Sequence, residues 1–134
     1  MSADVGTVLL DTHVVHWWSA EPSRVSTAAS EALEAASELA VAAITWYELA
    51  WLAAHERIAL SVPISSWLQG LAVQVRTIPM SPAIAHAAVS LSSSFPADPA
   101  DRLIYATAVE NDLRLVSKDR ALREHPHPRP LVVW

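Results

Sequence analysis

The stretch TVLLDTH, Thr7–His13, is a short aliphatic and β-branched run that stops abruptly at an acid. A run of this length bounded by polar residues suits a strand buried on both faces of a parallel sheet, although periodicity alone leaves a helical segment open. The same pattern recurs downstream. LAVAAI (Leu39–Ile44), VRTIPM (Val75–Met80), LRLVSKD (Leu113–Asp119) and PLVVW (Pro130–Trp134) read as further strands. Helical segments separate them. SRVSTAASEALEAASE (Ser23–Glu38) places Val25, Ala28, Ala29, Ala32 and Leu33 on one face behind Ser23 or Ser26 as cap. TWYELAWLAAHERI (Thr45–Ile58) has the capping-box pattern of Thr45 with Glu48 three residues on. PISSWLQGLAV (Pro63–Val73), SPAIAHAAVSLSS (Ser81–Ser93, serine cap and proline at the first position) and DPADRLIYATAVEND (Asp98–Asp112) complete the set. Alternating strands and helices imply an α/β domain with a mostly parallel sheet.

Composition narrows the possibilities. A chain of 134 residues, 52% hydrophobic, suits one compact domain over residues 1–134 with a sizeable core. No apolar run approaches the ~20 residues that span a bilayer. The start, MSADVGTVLLDTH, lacks the basic region and small-residue cleavage site of a signal peptide. There is no cysteine, which excludes disulfides and thiolate metal sites, and the expected compartment is the cytoplasm. Net charge is −5, so nucleic acid would not be held by bulk electrostatics. Contact with phosphate would need a local basic patch, a bridging metal ion or a partner. The His/Pro-rich His125–Pro130 reads as a rigid connector.

The acids are few and placed alike. Asp11 ends the first strand, Asp119 ends a later one, and Asp98 and Asp101 open the helix that feeds that later strand. Glu48 lies one turn into the helix after the second strand. In open parallel sheets ligands bind beyond the carboxyl ends of the strands, where all five acids fall if the crossover helices run antiparallel to the strands. Each acid also has an ordinary reading. Asp11 and Asp119 are turn formers, Glu48 a capping-box partner, Asp98 an N-cap, and Asp101 a first-turn acid favoured by the helix dipole. Carboxylates that do converge must raise a pKa or take up a cation, and an all-oxygen donor set suits Mg²⁺ or Mn²⁺. His13 and His16 have no third-ligand pattern for zinc and read as packing or hydrogen-bonding residues.

Taken in order, LLDTHVVHWW, AITWYELAWLAAHERIAL, DPADRLIYATA and LRLVSKDRALREHP…LVVW resemble the PIN-domain ribonucleases, specifically VapC-type toxins of bacterial toxin–antitoxin pairs. The resemblance covers nearly the whole chain. It implies a three-layer α/β/α fold around a central, mostly parallel sheet of four to five strands. It also implies a Mg²⁺- or Mn²⁺-dependent RNA endonuclease, restrained by a VapB-like antitoxin and usually dimeric within the complex. By motif, Asp11, Glu48, Asp101 and Asp119 would be the catalytic, metal-binding acids. Asp98 would be a further ligand, a supporting acid or a cap. Ser117 stands where a hydroxyl is usual and threonine commoner. Metal-activated water would then leave 5′-phosphate and 3′-hydroxyl ends.

Arg102, Lys118 and Arg120 flank the acids and are the candidate RNA-phosphate contacts. Trp17, Trp18, Trp46, Trp51 and Trp67 suit a core, with Trp46 and Trp51 alternatively anchoring a partner helix. Three other readings fit less well. A receiver-like phosphoryl acceptor needs a central acid after the third strand, where VRTIPM has none. A haloacid-dehalogenase-like phosphatase needs an acid at His13. A catalytically silent PIN-like interaction module would not need four motif acids.

Overall fold

The computed structural model describes residues 6–127 and 130–134, so part of the His125–Pro130 connector lies outside the described residues. Five strands form one sheet: β1 (Thr7–Leu10), β2 (Glu38–Ala42), β3 (Arg76–Ile78), β4 (Arg114–Val116) and β5 (Val132–Val133). Every pairing is parallel and the spatial order is β3-β2-β1-β4-β5. The chain therefore builds outward on one side of β1, then crosses back to build on the other. The topological switch lies between β1 and β4, whose register pairs Leu9 with Leu115. That crevice is where an open parallel sheet binds ligands.

Among the described residues seven α-helices cover both faces: α1 (Thr12–Ala20), α2 (Thr27–Ala35), α3 (Ala43–Ala54), α4 (Ile64–Ala72), α5 (Pro82–Val89), α6 (Pro99–Glu110) and α7 (Arg120–Glu124). Side chains alternate across each strand, which divides the core in two. Leu9, Ala40, Ala42 and Leu115 pack with Ile84 and Ala88 of α5 and with Ile104, Tyr105 and Ala108 of α6. Val8, Leu10, Val41 and Val116 pack with Val14 and Val15 of α1, Leu33 of α2, Leu49 of α3 and Leu71 of α4. The result is the expected three-layer α/β/α arrangement, with apolar residues on both faces explaining why the strands read as unbroken hydrophobic runs.

Several boundaries differ from the sequence reading, each for a local reason. β1 stops at Leu10, because Asp11 turns the chain straight into α1, a helix the sequence reading did not assign. α2 begins behind Ser26, whose Oγ accepts from the Ala29 amide at 3.1 Å, and Ala28 faces solvent while Ala29 and Leu33 are buried. α3 starts at Ala43 with no side-chain cap, so Thr45 and Glu48 do not form a capping box. It ends at Ala54 rather than Ile58. Glu56 takes a left-handed φ of 58°, while the Glu56 and Arg57 amides close on the carbonyls of Ala53 and Leu52. α6 ends the same way, with Asp112 at φ 54° and the Asp112 and Leu113 amides bonded to Val109 and Ala108. Both are Schellman closures that ordinarily use glycine, and this chain contains only two glycines. β4 ends at Val116, and Asp119 caps α7 instead of finishing the strand.

Candidate active site

Parallel strands put the N-termini of α1, α3 and α7 at the carboxyl edge of the sheet, and α6, which feeds β4, starts there too. Three acids occupy these helix starts as caps. Asp11 accepts from the Thr12 amide at 2.8 Å. Asp98 accepts from the Ala100 and Asp101 amides at 2.8 and 3.2 Å, and Asp119 from the Ala121 and Leu122 amides at 2.9 and 3.2 Å. In Asp98 and Asp119 a single oxygen, Oδ1, receives both amides. In Asp98 and Asp119 the cap reading and the site reading therefore hold together: one carboxylate oxygen fixes the helix and the other remains for chemistry. Helix N-termini also offset part of the negative charge.

Asp11, Glu48, Asp98, Asp101 and Asp119 all line one cavity of about 760 Å³ at the β1/β4 switch. Asp11, Glu48 and Asp101 are half-buried, while Asp98 and Asp119 are exposed at its mouth. Buried hydroxyls orient the set. Ser117 donates to Asp11 Oδ2 at 2.6 Å and accepts from the Asp119 amide at 3.0 Å, so it couples the acids that follow β1 and β4. The Asp11 amide in turn bonds the Val116 carbonyl at 3.0 Å. Thr12 donates to Glu48 Oε1 at 2.5 Å. Having only one hydroxyl proton, Thr12 must accept from Thr45, 3.2 Å away. Thr12 escaped the sequence reading, and Thr45, expected as a helix cap, instead supports Thr12. The only sequence signal was a hydroxyl beside the first acid and another one turn before Glu48.

The electrostatics follow from this packing. Burial is the main cause that raises the Asp11 carboxyl, against the lowering effect of the Ser117 and Thr12 hydrogen bonds. Glu48 is raised by burial and by Asp11 and Asp98, against its bond from Thr12. Asp101 is pushed up to about 7 by burial, then by Asp98, Asp11, Asp119 and Glu48 in turn. Its carboxylate makes no hydrogen bond among the described residues. Among those residues, no three acidic or histidine side chains are gathered tightly enough to hold one ion in this arrangement. The donor set still fits a hard divalent cation: it is all oxygen, mutually repulsive, and among the described residues Lys118 is the only lysine or arginine lining the cavity.

The basic residues separate. Lys118 stays at the cavity with its ammonium 5.7 Å from the Trp17 ring centre. Arg120 does not line the cavity and pairs with Glu124 at 2.8 Å on an exposed face. Arg102 departs from its expected role. All five of its N–H groups are committed to backbone carbonyls, those of Ala88, Leu91, Ser92, Phe95 and Pro96. No donor remains for phosphate. The tryptophans are mostly structural, as expected: Trp17 is buried and Trp46 donates to Thr77 Oγ1 at 2.9 Å. Trp51 and Tyr47 instead stand exposed on the apolar wall of the cavity. His13 lies edge-on to Trp17, and His16 meets Glu21 at 3.1 Å.

Comparison with known proteins agrees with this architecture. The chain is 66% identical over 128 residues to Ribonuclease VapC22 of Mycobacterium tuberculosis, covering 96% of this chain and 98% of that one. A toxin–antitoxin complex from Klebsiella pneumoniae contains a chain with the same fold at TM-score 0.68 and 24% identity, over 95% of this chain and 96% of that chain. VapBC2 of Rickettsia felis, bound to a DNA fragment from its promoter, matches at TM-score 0.68 and 16% identity over 90% and 93% of the two chains. Residues 8–128 match the PIN domain, and with that span, that identity and the carboxylate-lined switch crevice, the chain belongs to the PIN-domain family.

Proposed function

We propose that this chain, acting as a single domain over residues 1–134, is a Mg²⁺- or Mn²⁺-dependent RNA endonuclease and the toxin of a VapBC-type pair. One observation carries the catalytic reading: five carboxylates line a single cavity at the switch crevice, and together with burial they push Asp101 up to about 7. A cation relieves that repulsion directly. Asp11, Glu48, Asp101 and Asp119 would hold it, with Asp98 at the edge. When bound, the ion supplies Lewis acidity toward water and phosphate and charge compensation for the transition state.

The chain's own groups supply the geometry. Ser117 and Thr12 hold the carboxylates of Asp11 and Glu48 by hydrogen bonds, which limits the reorganisation these two acids would undergo on binding. Lys118 lies on the cavity wall, where a phosphate of the RNA backbone would enter. Water attacks the scissile phosphorus in line as the P–O3′ bond breaks. One of its protons would pass to a carboxylate oxygen of the set, and the departing O3′ would take up a proton from solvent, so that the ends would be 5′-phosphate and 3′-hydroxyl. The exposed apolar wall of Tyr47 and Trp51 beside the acids suits an antitoxin segment that closes the groove. The partner would be VapB-like, the assembly would include a toxin homodimer, and the setting would be the cytoplasm. Among the described residues no helix is long and apolar enough to cross a membrane.

The test is cleavage of an RNA pool by purified protein with Mg²⁺ or Mn²⁺, with EDTA and Asp11→Ala as controls. Cleavage by wild type alone, abolished by EDTA, is the expected result. Equal inertness of wild type and Asp11→Ala across several metals refutes the enzyme. Growth arrest on induced expression, relieved by Asp101→Asn, tests the toxin separately.

A further inference from the structure

The segment joining α5 to α6, Ser90–Asp98, is mostly exposed and has no strand or helix of its own. It nevertheless ends on Asp98, which must be placed accurately because its carboxylate caps α6 and thereby aims Asp101. What orders the segment is Arg102. Its Nε donates to the Pro96 carbonyl at 2.9 Å, one terminal nitrogen to Ala88 and Leu91 at 3.1 and 3.2 Å, and the other to Ser92 and Phe95 at 3.1 and 3.2 Å. These five carbonyls run from the last turn of α5 to two residues before Asp98. Phe95, buried against Tyr105 at 5.0 Å between ring centres, pins the middle of the loop, and the guanidinium lies 5.6 Å from its ring centre.

We propose that Arg102 is a positioning residue for the acidic site: its guanidinium is the hub around which the Ser90–Asp98 loop winds, and through that loop it sets where Asp98 caps α6 and where Asp101 points. The inference rests on the metal-site reading above for its catalytic consequence but not for its structural one. Only arginine suits the place, since five donors in a planar fork meet five carbonyls, whereas a lysine ammonium has three. The side chain thus acts on the reaction through its neighbours and touches no substrate.

Arg102→Lys and Arg102→Ala in the full chain test it by three readouts: amide hydrogen exchange, Mn²⁺ binding by calorimetry, and kcat and KM on RNA. Both variants are expected to exchange faster at Ser90–Asp101, including the Ala100 and Asp101 amides that Asp98 holds, with sheet amides unchanged. Mn²⁺ affinity is expected to fall about tenfold and kcat about a hundredfold, the scale of a 1 Å misplacement, with KM within about twofold of wild type. Lysine is expected to retain more of each than alanine. If Arg102→Ala fails to fold, Arg102→Lys decides. Wild-type exchange at Ala100 and Asp101 in that variant overturns the proposal, as does raised KM with unchanged kcat, the signature of a lost phosphate contact. If wild type itself takes up no Mn²⁺, the metal reading fails and the exchange data alone decide the role of Arg102.

Discussion

Neutralising Asp101 should make the metal-free protein more stable while removing its response to metal. Asp101 titrates near 7 in the folded chain against an ordinary 3.8, raised by burial and by its acidic neighbours. A carboxyl raised on folding favours the native state while protonated. Its contribution is fully present below about pH 4 and is lost as pH rises through about 7. At about 1.4 kcal/mol per decade the unscreened penalty above pH 7 would be about 4 kcal/mol. Asp101 is only half-buried, so solvent screening reduces this to about 1–2 kcal/mol.

Asparagine keeps the shape and removes the charge, and no hydrogen bond of the Asp101 carboxylate is lost. It forfeits only the dipole benefit of an acid in the first turn, about 0.5 kcal/mol. Thermal melts of wild type and Asp101→Asn should therefore differ by about 3–5 °C in favour of the variant at pH 8 in EDTA. The difference should vanish by pH 4. Adding Mn²⁺ at pH 8 should raise the wild-type Tm and leave the variant nearly unmoved, because only a ligand that binds the native state shifts it. A variant that melts at or below wild type at pH 8 in EDTA would refute the claim that these acids strain one another.

Four further outcomes follow from individual contacts. Ser117→Ala removes the hydroxyl that holds Asp11, which should cost about 1–3 kcal/mol in urea melts and push the acid limb of the pH–activity profile upward. Thr12→Val keeps the buried shape but releases Glu48, so kcat should fall about tenfold with near-wild-type circular dichroism. Lys118→Ala should weaken RNA binding and lower the salt slope of affinity by about 1, whereas Arg120→Ala, on its exposed pair, should do neither. Glu56→Gly relieves a left-handed backbone at the end of α3 and should stabilise by about 1 kcal/mol without changing cleavage.

The layers and the parallel sheet were legible because both faces of β1, β2 and β4 are apolar and because helices alternate with strands. The five acids were legible as a set only through position. Each alone is an adequate cap or turn former, and three indeed are caps. Sequence separation hid what holds them. Ser117 reaches Asp11 across 106 residues and Thr12 reaches Glu48 across 36, contacts that exist only once β1, β2 and β4 lie side by side. The basic residues misled for a related reason. Arg102 adjoins Asp101 in sequence, yet its long side chain turns back to the preceding loop, where carbonyls satisfy it without any charge partner. The closures at Glu56 and Asp112 were invisible because glycine, their usual marker, is absent.

The same geometry explains how the fold tolerates its site. Five carboxylates around one cavity would be prohibitive in an apolar interior, and lysines could neutralise them at once. Lysines would also occupy the charge that a divalent ion must meet. The chain uses weaker compensation. Helix N-termini receive Asp11, Asp98 and Asp119, neutral hydroxyls receive Asp11 and Glu48, and Asp101 has neither beyond its place in a first turn. Partial charges and hydroxyl dipoles orient an anion without cancelling it. Asp101 accordingly feels burial and the repulsion of all four other acids with no hydrogen bond to its carboxylate, and a cation should act on it strongly. The residual instability and the affinity for metal are then one quantity seen from two sides. Substitutions that relieve the first should reduce the second, with Asp101 ahead of Asp98 and Asp119, whose charges are already half met by the helices they cap.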